Sequence, residues 1–224
     1  MKKQIFGSRG QTVQHLEASM RAAICAMFFL LSTVAPVHTD DYFPKNVFGS
    51  SKLDSFRAEF YLAHLKFLHE PSLLLESRDR KAQSYRFLWL RTFHHAVVIR
   101  LDILSDGTGT LVTKMSSGGA GFGMPDRKII EDVSRPVSRA EVQSLLAVLD
   151  EKHFMKIPSY ITHDQTGTDG SEWVLEGVRD GQYHVVARWT PCNHSGSGKQ
   201  VVCSIGRTFA FDLGHLPIPE NEVY

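Results

Sequence analysis

Residues 172–189 read EWVLEGVRDGQYHVVARW, two runs rich in β-branched and aromatic residues on either side of Arg179-Asp180-Gly181. Alternation with a period of two around an Asp-Gly signal is the pattern of a β-hairpin. A three-residue loop, a type I turn closed by Gly181 in the left-handed conformation, sets Trp173 opposite Ala187, Leu175 opposite Val185 and Gly177 opposite Tyr183. One face is then apolar, and the other pairs Glu172 with Arg188 and Glu176 with His184. A two-residue loop would set Glu176 against Val185 and Trp173 against Arg188, mixing the faces of a half-buried sheet. The three-residue register is the expected one.

Residues 97–115 repeat the design around Ser105-Asp106-Gly107. The same rule turns Val97, Ile99, Leu101, Ile103, Leu111, Thr113 and Met115 inward, and Arg100, Asp102 and Lys114 outward. Both hairpins are thus expected to have one hydrated side. A helix is predicted from Ser51, with Asp54 in the capping-box position and Leu53, Phe56, Phe60, Ala63 and Phe67 at helical spacing before Pro71. Tyr61, Leu62, Leu65 and Leu68 widen that stripe. A second capping box, Ser138 and Glu141, opens a helix that buries Val142, Leu145, Leu146 and Leu149. Phe154 and Ile157 then return the chain to the sheet, residues 204–213 alternate as a last strand, and residues 40–49 read as a packed extended arm. The order is helix, three strands, helix, three strands. It implies an α+β fold, an antiparallel sheet of two X-Asp-Gly hairpins and flanking strands with two helices packed on one face.

Residues 22–37, AAICAMFFLLSTVAPV, follow a basic lead containing Lys2, Lys3, Arg9 and Arg21. The run fits a signal-peptide core and falls short of the roughly 20 apolar residues of a spanning helix. Residues 1–39 are read as a leader cleaved near Asp40, or retained as a signal anchor, with Met20 as an alternative start; residues 40–224 are read as one α+β domain. Lys plus Arg total 25 against 24 Asp plus Glu, and the charges alternate instead of clustering, which leaves no electrostatic footprint for nucleic acid. Membrane contact is expected only through the N-terminal segment, if it is uncleaved. Of the cysteines, Cys192 and Cys203 remain after the leader. In the periplasm or outside the cell they would form a disulfide contributing about 3 kcal/mol through the unfolded state. Zinc held by Cys192, His194 and Cys203 is the competing reading, and it lacks a fourth ligand.

The chemical motifs are sparse. His94 and His95 are adjacent, and neighbouring strand residues point to opposite faces, so they do not share a metal unless the backbone kinks. Glu176 facing His184 would make an acid/base pair. Asp164, Asp169 and Glu172 gather hard oxygen ligands that suit calcium on a glycine-containing loop, without EF-hand spacing. Gly118, Gly119, Gly121 and Gly123 form neither GxGxxG nor a P-loop, and Ser195 and Ser197 do not form a nucleophile elbow.

The stretches YRFLWLRTFHH at 85–95, SRAEVQSLL at 138–146, TDGSEWVLEG at 168–177 and GQYHVVARW at 181–189 resemble a bacterial family of exported proteins with no assigned activity. That pattern has a proline after the histidine pair, where this chain has Ala96. The resemblance spans residues 42–213 and implies an exported domain. The expected function is a non-enzymatic extracytoplasmic module that binds a protein or envelope component, without a cofactor. Arg100, Lys114 and Arg188 on the hydrated face, or the glycine loop, would make the contact. A hydrolase using Glu176 with His184, or one of His94 and His95, is the first alternative; a calcium- or zinc-dependent module is the second.

Overall fold

The computed structural model describes residues 41–121, 127–161, 169–193 and 197–224. The leader, Asp164, His194, Ser195 and Gly123 lie outside these described residues. Helix α1 (Lys52–Phe67) carries the expected capping box, with Ser51 and Asp54 bonding reciprocally. A short α2 (Leu73–Glu76) leads into four antiparallel strands, β1 (Ser84–Arg91), β2 (Val97–Ile103), β3 (Gly109–Ser116) and β4 (Ile129–Val137). Helix α3 (Arg139–Glu151), opened by the Ser138–Glu141 box, carries the chain to β5 (Ser171–Arg179) and β6 (Gln182–Trp189). Strand β5 returns antiparallel to β1, so the six-stranded sheet has the order β4-β3-β2-β1-β5-β6. The protein is α+β.

The first hairpin has the expected register. Val97 pairs Met115, Leu101 pairs Leu111, and Leu104 N–H reaches Thr108 O at 2.8 Å around a left-handed Gly107 (φ +82°). The second hairpin does not. Glu176 pairs Val185 and Trp173 pairs Arg188, around a two-residue loop in which Asp180 (φ +56°) and Gly181 (φ +77°) both take positive φ. That is a type I′ turn, whose twist matches the flanking strands. A two-residue loop is disfavoured only where one face of the hairpin is hydrated, and the sheet around β5 has no such face. Strand β1 and all of β5 but its last residue are buried on both sides, so mixing apolar and charged residues on a face carries no exposure penalty.

The two helices expected on one face lie on opposite faces. Val142, Leu145 and Leu149 of α3 join Tyr85, Phe87, Trp89, Ile99 and Trp173 in one core, whereas Tyr61, Leu62 and Leu65 of α1 join Leu88, Leu90, Val98 and Val174 in another. The second face has enough aliphatic residues of its own to demand a cover. The arm packs there through Tyr42, Phe43 and Phe48. In α1 the expected stripe is displaced, because Leu53 is 53 % and Phe56 41 % exposed, while the Tyr61, Leu62, Leu65 and Leu68 set is buried. The last predicted strand is helical. Helix α4 (Ser197–Arg207) continues into a π-helical turn (Thr208–Leu213), and Val202, Ile205, Phe209 and Leu213 meet the first core at helical spacing. Gly206 allows that approach, since a methyl group there would run into the Trp173 ring. Strand β4 was not anticipated, because IIEDVSRPV has no clean alternation and contains Pro136.

The two sheet edges differ. Ala187 N–H of β6 bonds Ser159 O at 3.1 Å, so the 158–160 segment lies along that edge, while among the described residues β4 pairs only β3. No helix among the described residues is long and apolar enough to cross a membrane.

The turn assignment has a direct test. At Asp180 a positive φ suits Asn and opposes a β-branched residue, so Asp180→Val should lower unfolding stability by about 1–2 kcal/mol and Asp180→Asn should leave it unchanged. Urea denaturation of both variants reads this; equal stability would return the hairpin to a three-residue loop.

Candidate functional site

Three of the charged residues assigned to a hydrated face, Arg100, Lys114 and Glu176, lie on the α1 side of the sheet in one network, and local structure places their partner. Helix α1 ends in a Schellman arrangement, with His69 at φ +52°, His69 N–H on Lys66 O at 3.1 Å and Glu70 N–H on Leu65 O at 2.9 Å. The turn drives the Glu70 carboxylate into the protein, fully buried. There it meets Arg86 of β1 at 3.5 Å, Arg100 of β2 at 2.9 Å and Lys114 of β3 at 3.0 Å. Lys114 Nζ also donates to Leu68 O at 2.9 Å, and Arg86 to Pro71 O at 2.7 Å. On its other side Arg86 pairs with Glu176 at 2.6 Å, and Tyr183 donates to Glu176 Oε1 at 2.8 Å. Burial opposes the charge on Arg86, but Glu176 and Glu70 outweigh it and raise its pKa. Burial first, and Glu176 second, hold the Tyr183 phenol well above its ordinary value.

This geometry corrects three proposed contact residues. Lys114 is 7 % exposed and Arg188 1 %, and Arg100 is held by Glu70 and Asp102. Arg188 lies on the opposite face from that network, donating to Pro158 O at 2.6 Å and Ala187 O at 2.7 Å. The expected acid/base pair is also not formed. With Glu176 opposite Val185, His184 pairs Gly177 and faces Phe154, ring centroids 5.2 Å apart, on the other side of the sheet. Burial, and then the charge of Arg188, lower the His184 pKa.

The metal candidates separate as well. Glu172 accepts from Tyr61 Oη at 2.8 Å and lies 3.6 Å from Arg57, whereas Asp169 is exposed. No group of three His, Cys, Asp or Glu among the described residues is arranged to hold a metal ion. Cys192 and Cys203 are disulfide-bonded to each other, which removes both from the zinc reading.

His94 and His95 sit in the β1–β2 turn, not in a strand. His94 Nδ1 lies 2.8 Å from Tyr224 Oη, and its Nε2 3.5 Å from Glu222, which also pairs with Arg91 at 3.0 Å. His95 Nδ1 lies 3.1 Å from Gly118 O, and Ala120 N–H reaches Arg91 O and His94 O, both at 3.0 Å. The glycine segment is therefore tied to the histidine turn. The sequence reading missed Glu70, Arg86, Arg91, Glu222 and Tyr224; lone arginines inside the apolar run YRFLWLR were the available signal, since a charge in a buried strand demands a partner.

A cleft of about 780 Å³ opens at the hairpin-turn end of the sheet. Arg80, Lys81, Gln83, Ser105, Gln143 and Arg179 are on its walls, between the 78–83 segment and α3, with Asp150 bonded to Arg179 at 3.0 Å. Arg80 and Lys81 are exposed at its mouth.

His64 is buried in α1, 4.8 Å from the Phe60 ring, with its Nδ1 2.8 Å from Arg127 Nη1. Burial, reinforced by Arg127, lowers its pKa to about 3. The folded state holds His64 neutral while the unfolded chain takes up a proton below about pH 6.5, so its contribution falls as pH drops from that value toward 3. The slope reaches about 1.4 kcal/mol per pH unit. His64→Leu should flatten that part of the profile, read from urea midpoints against the parent protein. Glu70→Gln, which strips the shared charged partner from the buried Arg86 and Lys114 and the partly buried Arg100, should cost about 3–5 kcal/mol by the same measurement; a loss within experimental error would show the network to be dispensable.

Comparison of the chain with protein-family profiles and with curated proteins gives no match.

Proposed function

We propose that this protein is a non-enzymatic binding module of an extracytoplasmic compartment, taking an anionic segment of a protein or an envelope component. The cleft at the hairpin-turn end carries the reading. Its walls are tight turns and a capped helix, and its lining carries Arg80, Lys81 and Arg179 against Asp150 and Asp180, an excess of one positive charge. Glu176 bonds Arg86 on one side of the sheet and His184 packs against Phe154 on the other, so the two do not form a pair. A disulfide between Cys192 and Cys203 fits an oxidising compartment. Export through residues 22–37 with cleavage near Asp40, to the periplasm or beyond, accounts for that environment; retention of the segment would leave the domain tethered to the membrane on the same side.

A ligand of the folded state alone raises the thermal midpoint by mass action. Peptidoglycan fragments, anionic polysaccharides and acidic peptides should be titrated against the parent protein and Arg80→Glu/Lys81→Glu. A dose-dependent rise that the double variant loses, with its own unliganded midpoint unchanged, is the expected result. A ligand that stabilises both proteins equally would remove the cleft from the binding surface.

A further inference from the structure

Among the described residues strand β4 pairs on one side alone, and the hydrogen-bonding row of its other edge can be read from the register. Leu104 N–H bonds Thr108 O, so the pairs exchanging hydrogen bonds between β2 and β3 are the even-numbered ones, Asp102 with Thr110 and Arg100 with Val112. Ser116 N–H on Ala96 O continues that row. Odd-numbered residues of β3 therefore address β4, where Leu111 meets Arg135 and Thr113 meets Val133. By the same alternation Asp132 and Ser134 aim their N–H and C=O away from the sheet. Pro136, next in the row, has no donor to offer, as suits an edge. At the other end the bulge between Met115 and Ser116 leaves Ile130, 52 % exposed, out of the ladder. The free row is thus short and bounded.

The side chains along that row are complementary to themselves. Glu131 and Arg135 flank Val133, which is 50 % exposed, at equal distance and on the same face. We propose that a second copy of this chain docks on β4 by antiparallel strand addition, with the two-fold axis at Val133. In that register Asp132 and the partner's Ser134 exchange both hydrogen bonds, and so does the symmetric pair. Glu131 lies opposite the partner's Arg135, and the two Val133 side chains meet at the axis, where non-hydrogen-bonded pairs bring side chains closest. Moving the axis to Asp132 would face that carboxylate with its own copy. Moving it to Ser134 would set Asp132 against Pro136 and remove two donors. Charge and hydrogen-bond supply both select Val133. Arg135 already bonds Glu141 at 2.9 Å and Leu213 O at 2.7 Å within its own chain, so Glu131 of the second copy would join an existing ion pair.

The interface is small beside the roughly 1,600 Å² of a standard complex, so a dissociation constant on the order of micromolar is expected. Sedimentation velocity of the protein as the cell processes it, across a concentration series, should show a reversible dimer. Ser134→Pro removes the outward donor without touching the ladder to β3, and should weaken dimerisation roughly tenfold or more. Glu131→Arg and Arg135→Glu should each sediment as monomers, and mixing them should restore the dimer, since each then faces an opposite charge. Val133→Cys should cross-link two copies under mild oxidation. A parent protein that stays monomeric throughout, or a dimer indifferent to Ser134→Pro and to both charge reversals, overturns the assignment.

Discussion

Arg86 and Arg100 lie directly opposite each other on neighbouring strands, an arrangement that repels unless a negative charge stands between them. Glu70 is that charge, and nearly everything on its side of the sheet is arranged around delivering it. The Schellman turn after α1 aims it inward, Pro71 closes the turn, and Tyr42 of the arm donates to Glu70 O at 2.8 Å. Lys114 extends the same meeting point to β3, and Glu176 extends it to β5 through Arg86. Four strands thus contribute a charged group to one buried network. Desolvating these groups offsets much of their mutual attraction, so the network is poor evidence for added stability. Its better-supported role is registration. Sliding any of these strands by one residue would carry its charge through the sheet into the aromatic core around Phe87 and Trp173.

The network also explains which parts of the fold are legible in the sequence. Capping boxes at Ser51 and Ser138 and the turn at Gly107 depend on residues a few positions apart, and each formed as read. The face of α1, the side on which α1 lies and the register of the β5–β6 hairpin depend on what covers the second face. Arg100, Lys114 and Glu176 read as surface residues because each is charged, and only the three-dimensional meeting with Glu70 and Arg86 accounts for the burial of Lys114 and Glu176 and the partial burial of Arg100. One mistaken assumption, that charge marks water, therefore produced three separate errors. The final helix failed for a different reason. Arg207, Phe209, Phe211 and Leu213 alternate as in a strand, while Val202, Ile205 and Phe209 repeat as in a helix, and Gly206 against Trp173 decides in favour of the latter.

The candidate site was less legible than the fold. The cleft walls come from two turns, α3 and the 78–83 segment, which no local motif connects. His94 was singled out for its neighbour His95, yet its geometry is set by Glu222 and Tyr224, more than a hundred residues away. A histidine pair read along the chain says little when the backbone turns between the two rings.

The unequal treatment of the sheet edges fixes how many neighbours the sheet can accept. Ser159 occupies β6, and Arg188 locks the 158–160 segment in place by binding Pro158 O and Ser159 O. A sheet with both margins bare can recruit copies without end, which is the geometry of a fibril. With one margin sheathed, any strand added at β4 meets a terminus, and growth stops at a closed pair. The buried Arg188 thereby holds a cover against one margin of a strongly hydrophobic sheet, and among the described residues β4 is the margin without one.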